Sequence, residues 1–385
     1  MTGPRSASRE PQVFFATCAP GAEAALLAEV KAARLGRPEA QVGGVRFQGI
    51  VADGWRAVLH LRVALRIYRQ LARFAAATAE DLYQGARSVA WDRVMGPEQT
   101  LAVDAKVSSS AHRHSGYVAL VVKDAVADWF REHHGVRPSV DVEAPDARLF
   151  AHVHEDRCTL SLDVAGRSLH RRGYRVAGTP APLGECLAAA AVGLTGWDGK
   201  SPFLDPFCGS GTLLIEAGLL AANVALGLLG SDFSFARLPG FDLARWEEMR
   251  SAARAAVRPP RRLILRGGDV DPAAVEATRR NAEAAGVGDL VRVEVADARD
   301  VSPTPGWGAT VLSNPPYGVR LADEETLEPL YNSMGHVFKD RYKGFHVHLF
   351  MASGRLARAF RLKPQRYWPL VNGGLPCRLA RYEIR

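Results

Sequence analysis

The stretch that decides the fold is Leu204-Asp205-Pro206-Phe207-Cys208-Gly209-Ser210-Gly211-Thr212. The apolar residues 202–204 predict a short strand, and residues 213–222 predict the helix that follows the turn. Gly209 and Gly211 allow the backbone to approach a ligand closely, because no Cβ stands in the way. We therefore expect the turn to present backbone N–H groups and a helix N-terminus to a small molecule.

The rest of the second half alternates predicted strands with helices. The predicted strands are residues 202–204, 263–267, 291–295, 309–312 and 346–351, and an alanine-rich helix is predicted over 183–194. This alternation is typical of a parallel sheet with helices on both faces, and such sheets bind ligands at the carboxyl ends of their strands. Residues 367–384 are expected to add two closing strands.

Four sites follow successive predicted strands. They are the Asp205 turn, Asp269, Asp297-Ala298 and Asn314-Pro315-Pro316-Tyr317. Asp269 is placed to accept hydrogen bonds from both hydroxyls of a ribose, and Asp297 is suited to the amino group of an adenine. Asp271 is predicted to cap the helix whose first turn carries Pro272.

The first 165 residues predict two small α+β units. The first has strands at 12–17, 42–47 and 65–74 and helices at 20–33 and 54–64. The second has helices at 79–94 and 117–133 and strands at 100–108, 139–143, 149–154 and 158–164, with Trp91 in its core. Residues 166–178, basic and punctuated by glycine, predict a linker.

Composition narrows the class of protein. The chain has 385 residues, 47% hydrophobic and 23% charged, which is ordinary for a globular protein. The net charge of +8 fits a nucleic-acid partner. We expect a cytoplasmic protein without membrane spans, because residues 1–10 do not form a signal peptide and no long apolar run occurs. The five cysteines form no C-x-x-C pair and the histidines show no ligand spacing, so no metal or disulfide is expected.

The whole set of motifs resembles one family, the bacterial 23S rRNA guanine-N2-methyltransferases, which are often labelled adenine-specific DNA methylases. The motifs that carry the resemblance are Pro20-Gly21-x-Glu23, Gly43-Gly44-Val45-x-Phe47, Asp81-Leu82-Tyr83, Leu169-His170-x-Arg172-Gly173-Tyr174-Arg175, Leu183-Gly184-Glu185-x-Leu187-Ala188-Ala189-Ala190, the Asp205 turn and Asn314-Pro315-Pro316-Tyr317. The last motif resembles the hallmark of the target-amine site in class I S-adenosylmethionine-dependent methyltransferases that modify amino groups.

The resemblance implies an α/β fold: a Rossmann-like class I methyltransferase domain (179–385) preceded by a ferredoxin-like α+β unit (1–68), a THUMP RNA-binding domain (69–165) and the linker 166–178. It implies S-adenosylmethionine as cofactor and S-adenosylhomocysteine as product. The expected cofactor-binding residues are Asp205, Pro206, Phe207, Gly209, Ser210, Gly211, Thr212, Asp269, Asp297, Ala298 and Asn314. The basic linker residues Arg171, Arg172 and Arg175 are expected to bind RNA.

The expected activity is methylation of the exocyclic N2 of a guanine, in 23S rRNA or a ribosome assembly intermediate. Asn314 Oδ1 and the Pro315 carbonyl are expected to accept the two amine hydrogens, Pro316 to keep the loop rigid, and Tyr317 to stack on the extruded base. A single catalytic domain predicts one modification, whereas larger members fuse a second. The alternatives are a tRNA guanine-N2 methyltransferase, an adenine-N6 methyltransferase of DNA, and a non-catalytic RNA-binding assembly factor.

Overall fold

The chain folds into two compact units. A computed structural model describes residues 10–178, 182–230, 232–258, 260, 262–301, 308–317 and 321–384. The first unit contains the described residues up to Thr17 together with Val30–Leu169 and Gly230–Ser251. The second contains Cys18–Glu29, His170–Leu229 and the described residues from Ala252 onward. Each unit therefore consists of several separate segments of the chain. A single domain boundary in the sequence cannot describe this division.

The N-terminal half forms one mixed sheet with helices. Its elements are β1 (Gln12–Thr17), α1 (Glu23–Ala32), β2 (Gly36–Gln41), β3 (Gly44–Gly49), α2 (Val51–His60), β4 (Arg66–Ala75), α3 (Ala79–Arg87), β5 (Leu101–Ser108), α4 (Ser115–His134), β6 (Ala147–His154) and β7 (Arg157–Asp163). The strand order is β2-β3-β1-β4-β7-β6-β5. Every neighbouring pair is antiparallel except β5 and β6.

Aromatic side chains organise the core of the first unit. Trp91 is fully buried, as predicted, and its indole N–H donates to the Ala86 carbonyl over 3.0 Å. Residues 230–251 belong to this unit because their aromatic rings pack against α2: Trp55 lies 5.7 Å from Phe235 and 5.3 Å from Phe241 between ring centroids. Burying such rings is among the larger contributions that single residues make to a core.

The C-terminal half forms the predicted parallel sheet. Its elements are α5 (Glu185–Thr195), β8 (Phe203–Asp205), α6 (Thr212–Ala221), α7 (Leu243–Ala255), β9 (Leu265–Asp269), α8 (Pro272–Ala284), β10 (Val291–Val295), β11 (Thr310–Ser313), α9 (Leu321–Arg341), β12 (His346–Met351), α10 (Gly354–Ala359), β13 (Arg366–Asn372) and β14 (Leu375–Glu383). The strand order is β10-β9-β8-β11-β12-β14-β13. The first five strands run parallel, and β14 and β13 close the sheet as an antiparallel hairpin.

Burial follows position in this sheet. Every residue of the central strands β8 and β11 is buried, whereas the edge strand β10 is mostly exposed. Strands covered on both faces need apolar residues at consecutive positions, which explains why Phe203-Leu204 and Val311-Leu312 do not alternate with polar residues. Two observed elements were not anticipated there: α9 and α10 pack their apolar residues on this sheet.

In the first unit one predicted strand is absent and one observed strand was not predicted. Residues 139–143 form no strand; only Val140 makes an isolated parallel bridge, to Leu101. Conversely, Gly36–Gln41 forms β2, an exposed edge strand. Because apolar and polar residues do not alternate along it, the sequence pattern does not predict this strand.

Three further properties concern the described part of the chain. No helix in it is long and apolar enough to cross a membrane. The same residues contain no group of three or more His, Cys, Asp or Glu side chains placed to hold a metal ion. All five cysteines are free thiols and buried.

Candidate active site

Four neighbouring strands end at the same edge of the second unit's sheet. Parallel β10, β9, β8 and β11 place Asp297, Asp269, Asp205 and Asn314 side by side at or just after their carboxyl ends. The structure thus brings together the four sites that the sequence places after successive strands. They line one cavity of about 940 Å³.

Most of the predicted site residues reach this cavity. Its wall includes Asp205, Pro206, Phe207, Gly209, Ser210, Thr212, Asp269, Asp297, Ala298, Asn314, Pro315, Pro316 and Tyr317. Gly211 does not line it. That glycine has φ +83°, and a Cβ there would lie 2.6 Å from a methyl carbon of Thr278, so its role is to let the turn pack against α8.

The glycine turn is held by its neighbours along the sheet. Asp269 Oδ2 accepts a hydrogen bond from the Gly209 backbone N–H at 2.9 Å, and Asp269 Oδ1 accepts from the Asp271 N–H at 3.0 Å. Thr278 Oγ1 donates to the Gly209 carbonyl at 2.7 Å. Asp271 caps α8 by accepting from the Ala273 N–H, with Pro272 in the first turn, as predicted.

Asp205 is a buried carboxyl group at the floor of the site. Its Oδ1 accepts from the Ser313 hydroxyl and from the Phe207 N–H. Burial raises the pKa of Asp205 to about 7, although both hydrogen bonds act in the opposite direction. A cationic ligand group beside it would favour the ionised form, because opposite charges stabilise each other strongly where water is excluded.

Asp297 lies on the wall but is already engaged. Its carboxylate binds Arg299 through two contacts, Nε to Oδ1 at 2.8 Å and Nη2 to Oδ2 at 2.6 Å. The hydrogen bond from Arg299 lowers the pKa of Asp297, so the carboxylate is ionised at neutral pH. Oδ1 also accepts from the Arg299 backbone N–H at 2.9 Å, so Oδ2 is the oxygen that keeps a lone pair for a further donor.

The thiol in the turn is not a nucleophile. Cys208 is buried, and burial raises the pKa of its thiol far above neutral pH. Because the thiolate is the reactive form, the residue acts as a small side chain in a tight turn.

Asn314 differs from the other residues of the site. Its Oδ1 is buried and accepts no hydrogen bond from any described residue. The loop that it begins is held from two sides: Tyr331 on α9 donates to the Pro316 carbonyl at 3.1 Å, and Asn372 Nδ2 donates to the Tyr317 hydroxyl at 2.6 Å. Tyr317 itself is half-buried, and burial raises the pKa of its hydroxyl.

The predicted RNA-binding role of two linker arginines is wrong. Arg172 is buried, and its Nε donates to Glu216 on α6 at 2.7 Å. Arg175 donates to four acceptors of the catalytic fold, on Glu185, Ser210, Thr212 and Leu183. Both guanidinium groups are therefore occupied within the second unit. Of the three linker arginines predicted to bind RNA, Arg171 is the one with an exposed side chain.

Sequence reasoning also missed three residues that support the site: Asn281, Tyr331 and Asn372. The Asn281 side chain donates to the carbonyls of Ser210 and Ala177 and accepts from the N–H groups of Val176 and Ala177. It thereby fastens the end of the linker segment to the glycine turn. No local sequence pattern identifies these residues, because each one contacts a segment that is distant in the sequence.

The fold and the four strand-end sites define a class I methyltransferase. Residues 172–381 match a family model described as "RMKL-like, methyltransferase domain". Residues 76–163 match the THUMP domain, and residues 13–68 match the RlmL ferredoxin-like domain. The chain belongs to this RMKL-like methyltransferase family.

Individual relatives agree with the family. The chain is 37% identical over 371 residues to a Synechocystis sp. protein provisionally named RNA methyltransferase slr0064, covering 96% of both chains. It is 40% identical over 381 residues to ribosomal RNA large subunit methyltransferase K/L of Methylococcus capsulatus, covering 96% of this chain but 51% of that protein. The chain thus spans about half the length of the K/L relatives. The crystal structure of SMU.472, named as a methyltransferase and complexed with SAH, superposes with a TM-score of 0.89 at 29% identity, covering 98% of this chain and 99% of that one.

The buried Arg172–Glu216 ion pair makes a stability prediction. Glu216→Ala removes the carboxylate from a buried guanidinium group and should lower the free energy of unfolding by about 3–5 kcal/mol, measured by urea denaturation. The control is Glu294→Ala, which breaks the Arg266–Glu294 pair, whose side chains are 38% and 51% exposed. That variant should lose less than about 1 kcal/mol. Equal losses in the two variants would contradict the structural role assigned to Arg172.

Proposed function

We propose that the chain is an S-adenosylmethionine-dependent RNA methyltransferase that methylates the exocyclic N2 of a guanine in 23S rRNA. The observation that carries the proposal is Asn314 Oδ1, a buried amide oxygen on the wall of the cavity to which no described residue donates a hydrogen bond. Leaving such an acceptor unpaired is costly, so its presence is best explained by a ligand that donates to it. An exocyclic amine is such a donor.

The substrate class rests on the domains and relatives. A THUMP domain precedes the catalytic part, and several relatives are named ribosomal RNA large subunit methyltransferases. We assign RNA capture to the ferredoxin-like unit (1–68) and the THUMP domain (69–165), with Arg171 as an exposed contact, and methyl transfer to residues 179–385. The net charge of +8 is consistent with a polyanionic substrate, either naked 23S rRNA or an assembly intermediate.

The cavity fits S-adenosylmethionine in size and in the chemistry of its donors and acceptors. SMU.472, similar over the whole chain, was solved with the demethylated form of this cofactor. In our assignment Asp269 holds the ribose hydroxyls, and Asp297 and Ala298 hold the adenine. The N–H groups of Gly209 and Gly211 are engaged by Asp269 and Cys208, so those of Ser210 and Thr212 serve the amino-acid end. Asp205, buried and close to Asp269, favours positive charge there. When bound, the cofactor supplies a methyl group activated by a sulfonium centre, and S-adenosylhomocysteine is the product.

The protein's part in the reaction is to orient the amine. The lone pair of a guanine amine is delocalised into the ring, which makes the nitrogen a poor nucleophile. Asn314 Oδ1 and the Pro315 carbonyl each accept one N–H, so that the lone pair points away from them and towards the methyl donor. The two acceptors therefore promote methyl transfer mainly by positioning and orienting the amine. The ring of Tyr317 offers a surface on which the extruded base can stack.

Two features help to hold residues 314–317 in place. Pro315 and Pro316 have fixed φ angles, which lowers the entropy lost when the loop is ordered. Tyr331 and Asn372 then fix the Pro316 carbonyl and the Tyr317 hydroxyl. Preformed acceptors cost little reorganisation when the amine approaches the transition state.

The product identifies the target atom. Purified protein should convert unmodified 23S rRNA to a form containing N2-methylguanosine, detected by mass spectrometry of the digested nucleosides. Unmodified tRNA and DNA serve as parallel substrates. N6-methyladenine in DNA without methylated guanine in RNA would contradict the substrate assignment, and N2-methylguanosine in tRNA alone would move it to tRNA.

Removal of the amine acceptor should separate binding from transfer. Asn314→Ala should lower the rate of methyl transfer by about 10²–10³-fold, the range for loss of one hydrogen-bonding group that acts in the transition state. SAH affinity, measured by calorimetry, should change little. Tyr317→Ala should also be impaired. Tyr317→Phe should be impaired less, because it keeps the ring and loses the hydroxyl contacts with Asn372 and Asn314. Normal turnover in Asn314→Ala would exclude this loop as the catalytic centre.

Loss of the ribose-binding carboxylate should act on the cofactor. Asp269→Ala should weaken SAH binding by about 1–3 kcal/mol through the loss of charge-assisted hydrogen bonds. Asp271→Ala is the matched control, because this neighbouring carboxylate caps α8 and does not line the cavity. It should lose stability and keep its affinity. Unchanged affinity in Asp269→Ala would remove that residue from the cofactor site.

A further inference from the structure

The β13–β14 hairpin at the edge of the catalytic sheet carries two arginine–aromatic pairs. The Arg366 guanidinium lies 4.7 Å from the centre of the Trp368 ring, and the Arg378 guanidinium lies 5.4 Å from the centre of the Tyr367 ring. Strand register puts Tyr367 and Arg378 on one face of the hairpin and the other pair on the opposite face. Tyr367 is 43% exposed, and both arginines are exposed.

The exposed cations around this hairpin are close together in the sequence and are not paired with acidic side chains among the described residues. Arg355 nearby pairs with Glu325 and Glu328. By contrast, five exposed basic residues in the hairpin and in the segment that leads into it form no ion pair within the described ranges. They are Arg358, Arg361, Lys363, Arg366 and Arg378. The edge of the domain therefore presents a concentration of uncompensated positive charge.

The hairpin is continuous with the candidate active site. Its tip contributes Asn372, Gly373 and Leu375 to the cavity wall, and Asn372 contacts Tyr317 directly. Tyr367 is five residues back along β13, about 17 Å at the rise of an extended strand. A polymer whose target base occupies the cavity can run along this strand.

We propose that the hairpin binds the single-stranded RNA that flanks the target base; this rests on the proposed function. Exposed rings offer stacking surfaces to unpaired bases, and unpaired arginines attract the phosphates between them. A base that must leave its stack to react is reached most easily in an unpaired segment. The competing explanation is that charged side chains on β13 only prevent pairing between sheet edges.

The test compares charge removal at opposite edges of the same sheet. Arg366→Ala/Arg378→Ala should weaken binding of a fluorescent 20-nucleotide oligouridylate at least tenfold. The dependence of log K on log salt should become shallower by about 1.4, or 0.7 for each single-strand phosphate contact. The matched control is Arg280→Ala/Arg292→Ala, which removes two exposed charges from α8 and the edge strand β10. It should bind within twofold of the unmodified protein.

A second pair of variants tests stacking. Tyr367→Ala should weaken binding about tenfold with an unchanged salt slope, and Tyr367→Phe should restore it. SAH affinity should stay constant in all variants, which shows that the cofactor site is intact.

Each contrary result points to a different cause. If the hairpin double variant binds like the control, the RNA surface is excluded, while N2-methylguanosine formation by the unmodified protein still supports the proposed function. An equal loss of affinity for a 20-base-pair RNA duplex would exclude single-strand recognition. Self-association of the double variant with RNA affinity intact would favour edge protection. Failure of the unmodified protein to bind RNA at all would overturn both proposals.

Discussion

The hydrogen bond from the Gly209 backbone to the Asp269 carboxylate is the contact on which the site depends. It joins the turn after β8 to the end of the neighbouring strand β9, and Thr278 adds a second link through the Gly209 carbonyl. The turn can come this close only because glycine occupies positions 209 and 211, both with positive φ. Parallel pairing of four strands then brings the remaining polar residues to the same edge. Sheet geometry therefore determines where the described residues that line the cavity lie.

The same turn is supported from behind by a segment that the sequence marks as a linker. Arg175 and Asn281 hold Ser210 and Thr212, while Arg172 is buried against Glu216. Charge density in a sequence indicates where cations are, but not whether a carboxylate faces them. The partner Glu216 is 44 residues away, within an apolar helix where an acidic residue has no other evident purpose. That mismatch, a lone Glu in a buried helix, is the one signal that could have revealed the pair.

The sequence was sufficient for the sites that depend on local order. Asp205, Asp269, Asp297 and Asn314 each follow a strand at a fixed short distance, and the rule that parallel strands end at one edge brings them together. It was insufficient where distant segments meet. Asn372 reaches Tyr317 across 55 residues, and the excursion of residues 230–251 into the first unit depends on the contacts of Trp55 with Phe235 and Phe241. The edge strand β2 and the missing strand at 139–143 show the same limit, because pairing partners rather than local apolar pattern decide them.

The loop at residues 314–317 depends both on its local sequence and on contacts with distant residues. Its chemistry is local: an amide oxygen, two rigid residues and an aromatic ring in consecutive positions. Its geometry is not local, because Tyr331 on α9 fixes one carbonyl and Asn372 on the hairpin fixes the tyrosine hydroxyl. A loop held from two independent elements can keep an acceptor in place without collapsing onto it, which explains how Asn314 Oδ1 has no partner among the described residues. The resulting cost in stability is the expected sign of a group arranged for the transition state of a bound substrate.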